Sequence, residues 1–398
     1  TPCGTLFPYT TLFRSDGNQT EMTLENSPEA IAAWAEDLRG WAEGRFAVGL
    51  EQSRGATCTA LLEHTDVLEL YPMNPFTVHM FRKTWKTSGA KNDPSDARLI
   101  CEIMVTHPDR MRGLRLSDPQ TIGLKILNEK RRKLVDMRTK SVEQLISQLK
   151  EYFPQALIIT GGDFTSRMAC DFLRKWGSLQ DVRRARASTL RRFYYDHNCR
   201  SKKRVEERLA IVESSVPLTT NDAMMAPMIR MVRALVDQIT LLNEHIRGFE
   251  LEVRRTFQAC EDAWIFQSFP GAGPALAPRL LAIFGQERDL WSDAEEVQRY
   301  SGIAPVVVQS GKSCRTSRRY ARPRFDHQTF VEFAKCSKRY SAWAAGFYAM
   351  KKSQGMGDNA ILRALAFKWI RIMYACWKKH VPYDENAHIQ SLRKRNSP

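Results

Sequence analysis

The chain has 398 residues, with 60 Lys and Arg against 44 Asp and Glu, a formal net charge of +16 and a hydrophobic share of 43%. It is too long for one small domain and apolar enough for two or three cores, and a cationic surplus of that size favours a polyanionic partner, nucleic acid before membrane. No apolar run approaches the roughly 18 to 20 residues of a bilayer crossing, no secretory leader is legible, and the nine cysteines are scattered and never spaced C-x-x-C, which excludes a disulfide framework or a Cys-rich zinc site and predicts a reducing, cytoplasmic setting.

Residues 1–15 contain no acidic residue and read as foreign to the rest of the chain. From residue 16 to about 107, short β-like runs alternate with helical ones. Ser27, Pro28 and Glu29 are helix start signals, and Ile31, Trp34, Leu38 and Trp41 succeed them at helical spacing, which predicts an amphipathic helix over 27–41. The apolar runs 45–51 and 67–71 predict buried strands, the second closed by Pro72 and Pro75. Such close alternation predicts an α/β domain with part of its sheet parallel.

The character then changes to all-helical. A long charged helix is expected over 122–153, with an apolar stripe through Leu127, Leu134, Met137, Val142, Leu145, Leu149 and Tyr152, ending at Pro154. Met228, Val232, Leu235, Ile239, Leu242, Ile246, Phe249 and Val253 keep heptad spacing and predict coiled-coil pairing, within the chain or across a homo-oligomer, a dimer or tetramer. Between these helices, residues 163–216 read as helical and dense in cations, either a solvated face or, in a chain this basic, one that meets a phosphate backbone. A further helical unit starts near residue 263. It contains a Gly-Pro turn, a Ser-Gly turn with a basic loop over 306–324, and a last long helix over about 359–377.

Three constellations carry chemistry. Glu51 closes a predicted strand, and Asp93 and Asp96 open a predicted helix three positions apart, so their carboxylates can share a side. Converging carboxylates are hard ligands for Mg²⁺ or Mn²⁺ in phosphodiester chemistry; the Asp-Pro start is equally what an ordinary capped helix shows. Gly271 and Gly273 let backbone approach a phosphate ahead of a helix N-terminus, and a plain helix–helix turn has the same pattern. Ser310, followed by Gly311, lies among Lys312, Arg315, Arg318 and Arg319. A serine there needs a base or metal to become a nucleophile, the cations can hold a phosphate, and a Ser-Gly pair is also a common turn.

In order and separation, LEQSRG around Glu51, KNDPSDA over 91–97, and PGAGP through YSGIAPVVVQSGKS over 270–313 resemble the DEDD-type transposases of the "one-ten" insertion-sequence family, which also includes Piv-type DNA invertases. The resemblance runs from about residue 16 to the C-terminal helix. It implies a RuvC-like domain of RNase H fold over 16–120, a helical, coiled-coil region over 121–262 and a mostly helical serine transposase domain over 263–398. It also implies four acids that bind Mg²⁺, a serine that forms a covalent phosphoserine with DNA, a guide RNA, and a bacterial cytoplasm. Glu51, Asp93 and Asp96 match the second, third and fourth acids and Ser310 the nucleophile, with Lys91, Gly271, Gly273, Lys312, Arg315, Arg318 and Arg319 as expected nucleic-acid contacts. The family's first acid lies in a segment resembling G-I-D on the first strand, whereas Asp16-Gly17-Asn18 resembles the later hairpin turn. The expectation is therefore a lost first strand, a missing ligand and an inactive chain. Two alternatives stand beside this reading. One is a RuvC-like nuclease using metal-activated water, with Ser310 only a turn residue; the other is a non-catalytic nucleic-acid-binding protein.

Overall fold

A computed structural model describes residues 9–13, 19–41, 44–51, 55–85, 93–114, 117–311, 313–320 and 322–394. The chain forms two compact units, Thr1–Leu116 and Ser117–Pro398. Of the residues that carry the expectation about the opening segment, 1–8 and 14–18, including Asp16-Gly17-Asn18, lie outside the described residues, and 9–13 form a strand.

In the first unit, β1 (Tyr9–Phe13) and β2 (Gln19–Thr23) pair antiparallel, Tyr9 opposite Thr23. Helix α1 (Pro28–Trp41) starts where the sequence signals place it, with Ala30 N–H donating to Ser27 Oγ at 3.2 Å. Strands β3 (Phe46–Leu50) and β4 (Leu68–Pro72), joined through α2 (Ala56–Leu62), are parallel, with Phe46 opposite Leu68. Ile31, Trp34, Ala35 and Leu38 pack with Cys58, Leu61, Leu68 and Leu70 in one core. Trp41, expected on this stripe, stays at the surface, 48% exposed. A smaller core of Met73, Val78, Leu99 and Ile103 joins α3 (Pro75–Trp85) to α4 (Asp93–Thr106). The expected α/β character is thus present, although the described strands form separate two-stranded sheets.

The second unit is built on two long helices. The first, α5 (Pro119–Tyr152), begins at an Asp118 cap, which accepts from Thr121 N–H at 2.9 Å and is followed by Pro119. Beyond it come the short helices α6 (Ala156–Ile159), α7 (Arg167–Lys175), α8 (Leu179–Arg184), α9 (Ala187–Asp196) and α10 (Lys202–Ser214). The second long helix, α11 (Asp222–Gln258), runs antiparallel to α5: Arg131 pairs with Glu250, and Arg138 Nη1 donates to Asn243 Oδ1 at 2.8 Å. Leu145 and Leu149 share a core with Val232, Leu235, Val236 and Ile239, so the heptad stripe packs within the chain.

Many cations of 163–216 have acidic or carbonyl partners inside this unit. Arg191 forks onto Glu206 at 2.8 Å through both Nε and Nη2, Arg174 bonds Asp237 at 2.9 Å, and Arg183 donates to the carbonyls of Val212, Glu213 and Ser215. Arg200, Lys202, Lys203 and Arg204 are exposed.

The rest of the unit comprises α12 (Ala263–Gln267), α13 (Gly273–Phe284), α14 (Ala294–Tyr300), the antiparallel hairpin β5 (Val306–Ser310) and β6 (Ser313–Ser317), α15 (Arg324–Ser337), α16 (Ala342–Ser353), α17 (Asp358–Lys379) and α18 (Glu385–Lys394). Its centre is aromatic: Phe269, Phe284, Phe330, Phe333, Trp369 and Trp377 are all buried, and Trp369 Nε1 donates to Ser337 Oγ at 2.9 Å. The region expected as a basic loop is therefore a hairpin. Its β-branched residues and the positive φ of Gly311, 56°, favour that turn.

Candidate functional site

The first unit gathers two of the three acids. Glu51 leaves the end of β3, Asp96 lies in the first turn of α4, and both face Arg82 in the last turn of α3. Arg82 grips Asp96 with both prongs, Nε to Oδ1 at 2.9 Å and Nη2 to Oδ2 at 2.7 Å, while the same Nη2 lies 3.9 Å from Glu51 Oε1. Arg82 and Asp96 are 8% and 7% exposed, so each needs the other to avoid an uncompensated buried charge. Asp96 thus serves this pair rather than acting only as a helix cap. Asp93 is the first residue of α4, on the same helix end.

The approach of α4 to β3 depends on Gly49. A Cβ there would run into Ile100 and lie 2.5 Å from Met104 Sδ. The absent side chain lets the helix carrying Asp96 sit directly on the strand that leads into Glu51. Arg82 had no motif to announce it. The signal available was its spacing: it follows the fully buried Val78 by four residues, so a cation occupies a core-facing position of α3.

The donor chemistry suits a hard divalent cation, because two carboxylates already converge on one positive charge. Among the described residues, no group of three or more His, Cys, Asp or Glu comes together. As arranged, both Asp96 oxygens bond Arg82.

The second unit presents Ser310 at the end of β5, opposite Ser313 and exposed. Arg315 and Arg318 are exposed, Arg319 is half-buried, and the Arg318 guanidinium stacks 4.6 Å from the Tyr320 ring, itself 72% exposed. Val307 and Val308 are 57% and 58% exposed. Cations beside an exposed aromatic ring can hold phosphate and stack a base. Lys91 and Lys312 lie outside the described residues.

A buried pedestal anchors the hairpin. Ser301, Gly302, Ile303 and Ala304 are buried, and the N–H groups of Ile303 and Ala304 donate to Gln298 O at 3.0 and 2.9 Å. Gly302 has φ 69°, and a Cβ on it would lie 2.5 Å from Arg322 Cβ, so this glycine is fixed by both backbone and space. His327 on α15 is held neutral: burial, then the charge of Arg322, push its pKa down to about 4, against the pull of backbone groups at Ser301 and Gly302. Burial also lowers the Arg322 pKa, helped by Arg318 and Arg363.

Of the expected Gly-Pro pair, Gly271 (φ 82°) packs against residues 336–340, where a Cβ would meet Cys336 and Tyr340 at 3.0 Å. Its conformation serves close helix packing. Gly273 is exposed at the start of α13.

Comparison with known proteins places this arrangement. A DEDD-type family model described as Transposase matches residues 12–154, and one described as Transposase IS116/IS110/IS902 family matches residues 263–349. The candidate mini-circle transposase for IS117 of Streptomyces coelicolor is 24% identical over 349 residues, 87% of this chain and 84% of that protein. The uncharacterized 42 kDa protein of insertion element IS900 from Mycobacterium paratuberculosis is 24% identical over 89% of this chain and 88% of its own length. The 43.6 kDa protein of insertion element IS110 from Streptomyces coelicolor is 22% identical over 74% of this chain and 72% of its own length. The matches fall on both units, one on the acid-bearing segment and one on the region leading to and through the hairpin, and together they define a transposase. The chain belongs to the IS116/IS110/IS902 family of insertion-sequence transposases. Among the described residues, no helix is long and apolar enough to cross a membrane.

Proposed function

We propose that this transposase cuts and rejoins DNA through a carboxylate-held divalent metal, Mg²⁺ or Mn²⁺, and a serine nucleophile, Ser310, in a RuvC-like, RNase H-type first unit and a serine-bearing second unit. The observation that carries the reading is the meeting of Glu51 and Asp96, 45 positions apart in sequence, on one cationic point. Glu51, Asp93 and Asp96 would hold the metal, which when bound neutralises charge on a scissile phosphate. The Ser310 hydroxyl attacks phosphorus; its Oγ–P bond forms as the bond to a deoxyribose oxygen breaks, and the departing oxygen takes up the proton the serine gives. Attack by the hydroxyl of a second strand reverses this and restores Ser310. Arg315 and Arg318 supply positive charge beside the phosphate. The exposed cations of α10 and the +16 net charge support a nucleic-acid grip, for DNA and for a guide RNA.

The test is a denaturing-gel search for a covalent protein–DNA adduct with element-end DNA, element transcript and Mn²⁺. It is run on the chain as written and on a version with a first strand that carries the fourth acid restored. The expected result is no adduct from the chain as written and, from the restored version, an adduct that Ser310→Ala abolishes without loss of DNA binding. Metal-dependent cleavage with no adduct would instead favour metal-activated water.

A further inference from the structure

We propose that Arg82 is a positioning residue: it holds Glu51 and Asp96 together as an internal counter-ion, and must release Asp96 before a divalent cation can bind, so that it sets how readily the acidic centre loads. The proposal rests on the reading of these acids as metal ligands and adds a control that the acids alone do not have.

The Arg82 fork engages both oxygens of Asp96, at 2.9 and 2.7 Å, and its shared Nη2 lies between the two carboxylates. A Mg²⁺ or Mn²⁺ ion bonds a carboxylate oxygen at about 2.1 Å. An ion held by both carboxylates would have to enter between them, where Nη2 now lies 2.7 Å from Asp96 and 3.9 Å from Glu51, so the ion and the fork compete for Asp96. Both prongs of Arg82 are engaged on Asp96, so the side chain has to move for the carboxylate to be released. Its long stem at the end of α3 allows a rotation that would leave Asp96 in place.

Burial explains why the cation is there at all. Without metal, Asp96 at 7% exposure would be a desolvated carboxylate beside a second acid, and α4 would be pushed from β3. Arg82 removes that penalty and keeps the two acids in register. The cost is a reduced apparent metal affinity, since only the fraction of molecules with Arg82 released can bind.

The experiment titrates Mn²⁺ alone into the full-length chain by calorimetry and by the loss of the free-ion EPR signal, for the parent and for Arg82→Gln, Arg82→Lys and the double variant Arg82→Gln/Glu51→Gln. Melting curves with and without Mn²⁺ accompany each. The expected result is about tenfold tighter Mn²⁺ binding in Arg82→Gln, with a lower metal-free Tm and a larger Mn²⁺-induced rise. Arg82→Lys should fall between, and the double variant should lose the gain. A purely structural salt bridge would lower Tm and leave Mn²⁺ affinity unchanged or weaker; that outcome overturns the proposal while the metal reading survives. No Mn²⁺ binding in either parent or Arg82→Gln overturns both. If Arg82→Gln folds only when Mn²⁺ is present, the ion has replaced the guanidinium and the proposal stands; if Mn²⁺ does not recover it, an unchanged affinity in Arg82→Lys overturns the proposal and a tighter one upholds it.

Discussion

Gly49 on β3 and Met104 on α4 meet so closely that a Cβ on the glycine would lie 2.5 Å from the methionine sulfur. The side chains of α4 therefore lie directly on the strand backbone close to where Glu51 and Asp96 converge. Gly49→Ala should push α4 outward at a cost of about 1 to 3 kcal/mol. The expected outcome is a lower Tm together with weakened Mn²⁺ binding; a chain that melts lower but binds Mn²⁺ as before would show that the acids do not depend on this contact.

The contrast between Asp96 and Arg82 shows what sequence can carry. Asp96 stood out because it shares a short segment with Asp93 and a helix start. Arg82 did not, because its role exists only when α3 and α4 pack, and its partner is 14 residues away with no fixed spacing to signal it. The long helices were legible because their apolar stripes are local, although the Asp118-Pro119 cap starts α5 three residues before the expected 122. The cations of 163–216 divide only once the chain is folded: Arg191 and Arg174 look like any exposed basic run until Glu206 and Asp237 pair with them, while Lys202, Lys203 and Arg204 stay exposed. The hairpin at Ser310 was readable in principle from the β-branched run Val306–Val308 ahead of a Gly-containing two-residue turn.

Ile239 is fully buried, in a core shared with Leu145 and Leu149 of the antiparallel partner helix. Ile239→Ala should destabilise the chain by about 2 to 5 kcal/mol, the ordinary cost of a core cavity. Because the stripe packs within the chain, the loss should appear as a lower Tm that does not vary with protein concentration. A melting temperature that rises with concentration in the parent and loses that dependence in the variant would place the stripe between chains instead.

Acid should loosen the second unit through His327. Its pKa of about 4 in the folded chain lies below the ordinary value of 6.5, so below pH 6.5 the unfolded chain binds the proton first. Stability is therefore complete above pH 6.5 and falls as the pH drops toward about 4. The loss amounts to about 1 to 2 kcal/mol once solvent screening of the half-buried ring is allowed for. His327→Gln removes the titrating group, so its Tm should fall less than the parent's between pH 7 and pH 4 in parallel melts. Equal slopes in the two proteins would remove His327 as the source.

The hairpin arginines and the paired arginines of the helical region make opposite predictions for nucleic acid. Arg315 and Arg318 are exposed on and beside β6, whereas Arg191 already forks onto Glu206 at 2.8 Å. Each phosphate contact releases a counter-ion, so removing one should lower the slope of log affinity against log salt by about one. Arg315→Ala and Arg318→Ala should each show that decrease with element-end DNA, and the double variant about twice as much. Arg191→Ala should leave the slope unchanged, because its charge is matched within the chain. A slope that changes with Arg191→Ala and not with the hairpin variants would move the DNA grip from the hairpin to the helices around Arg191.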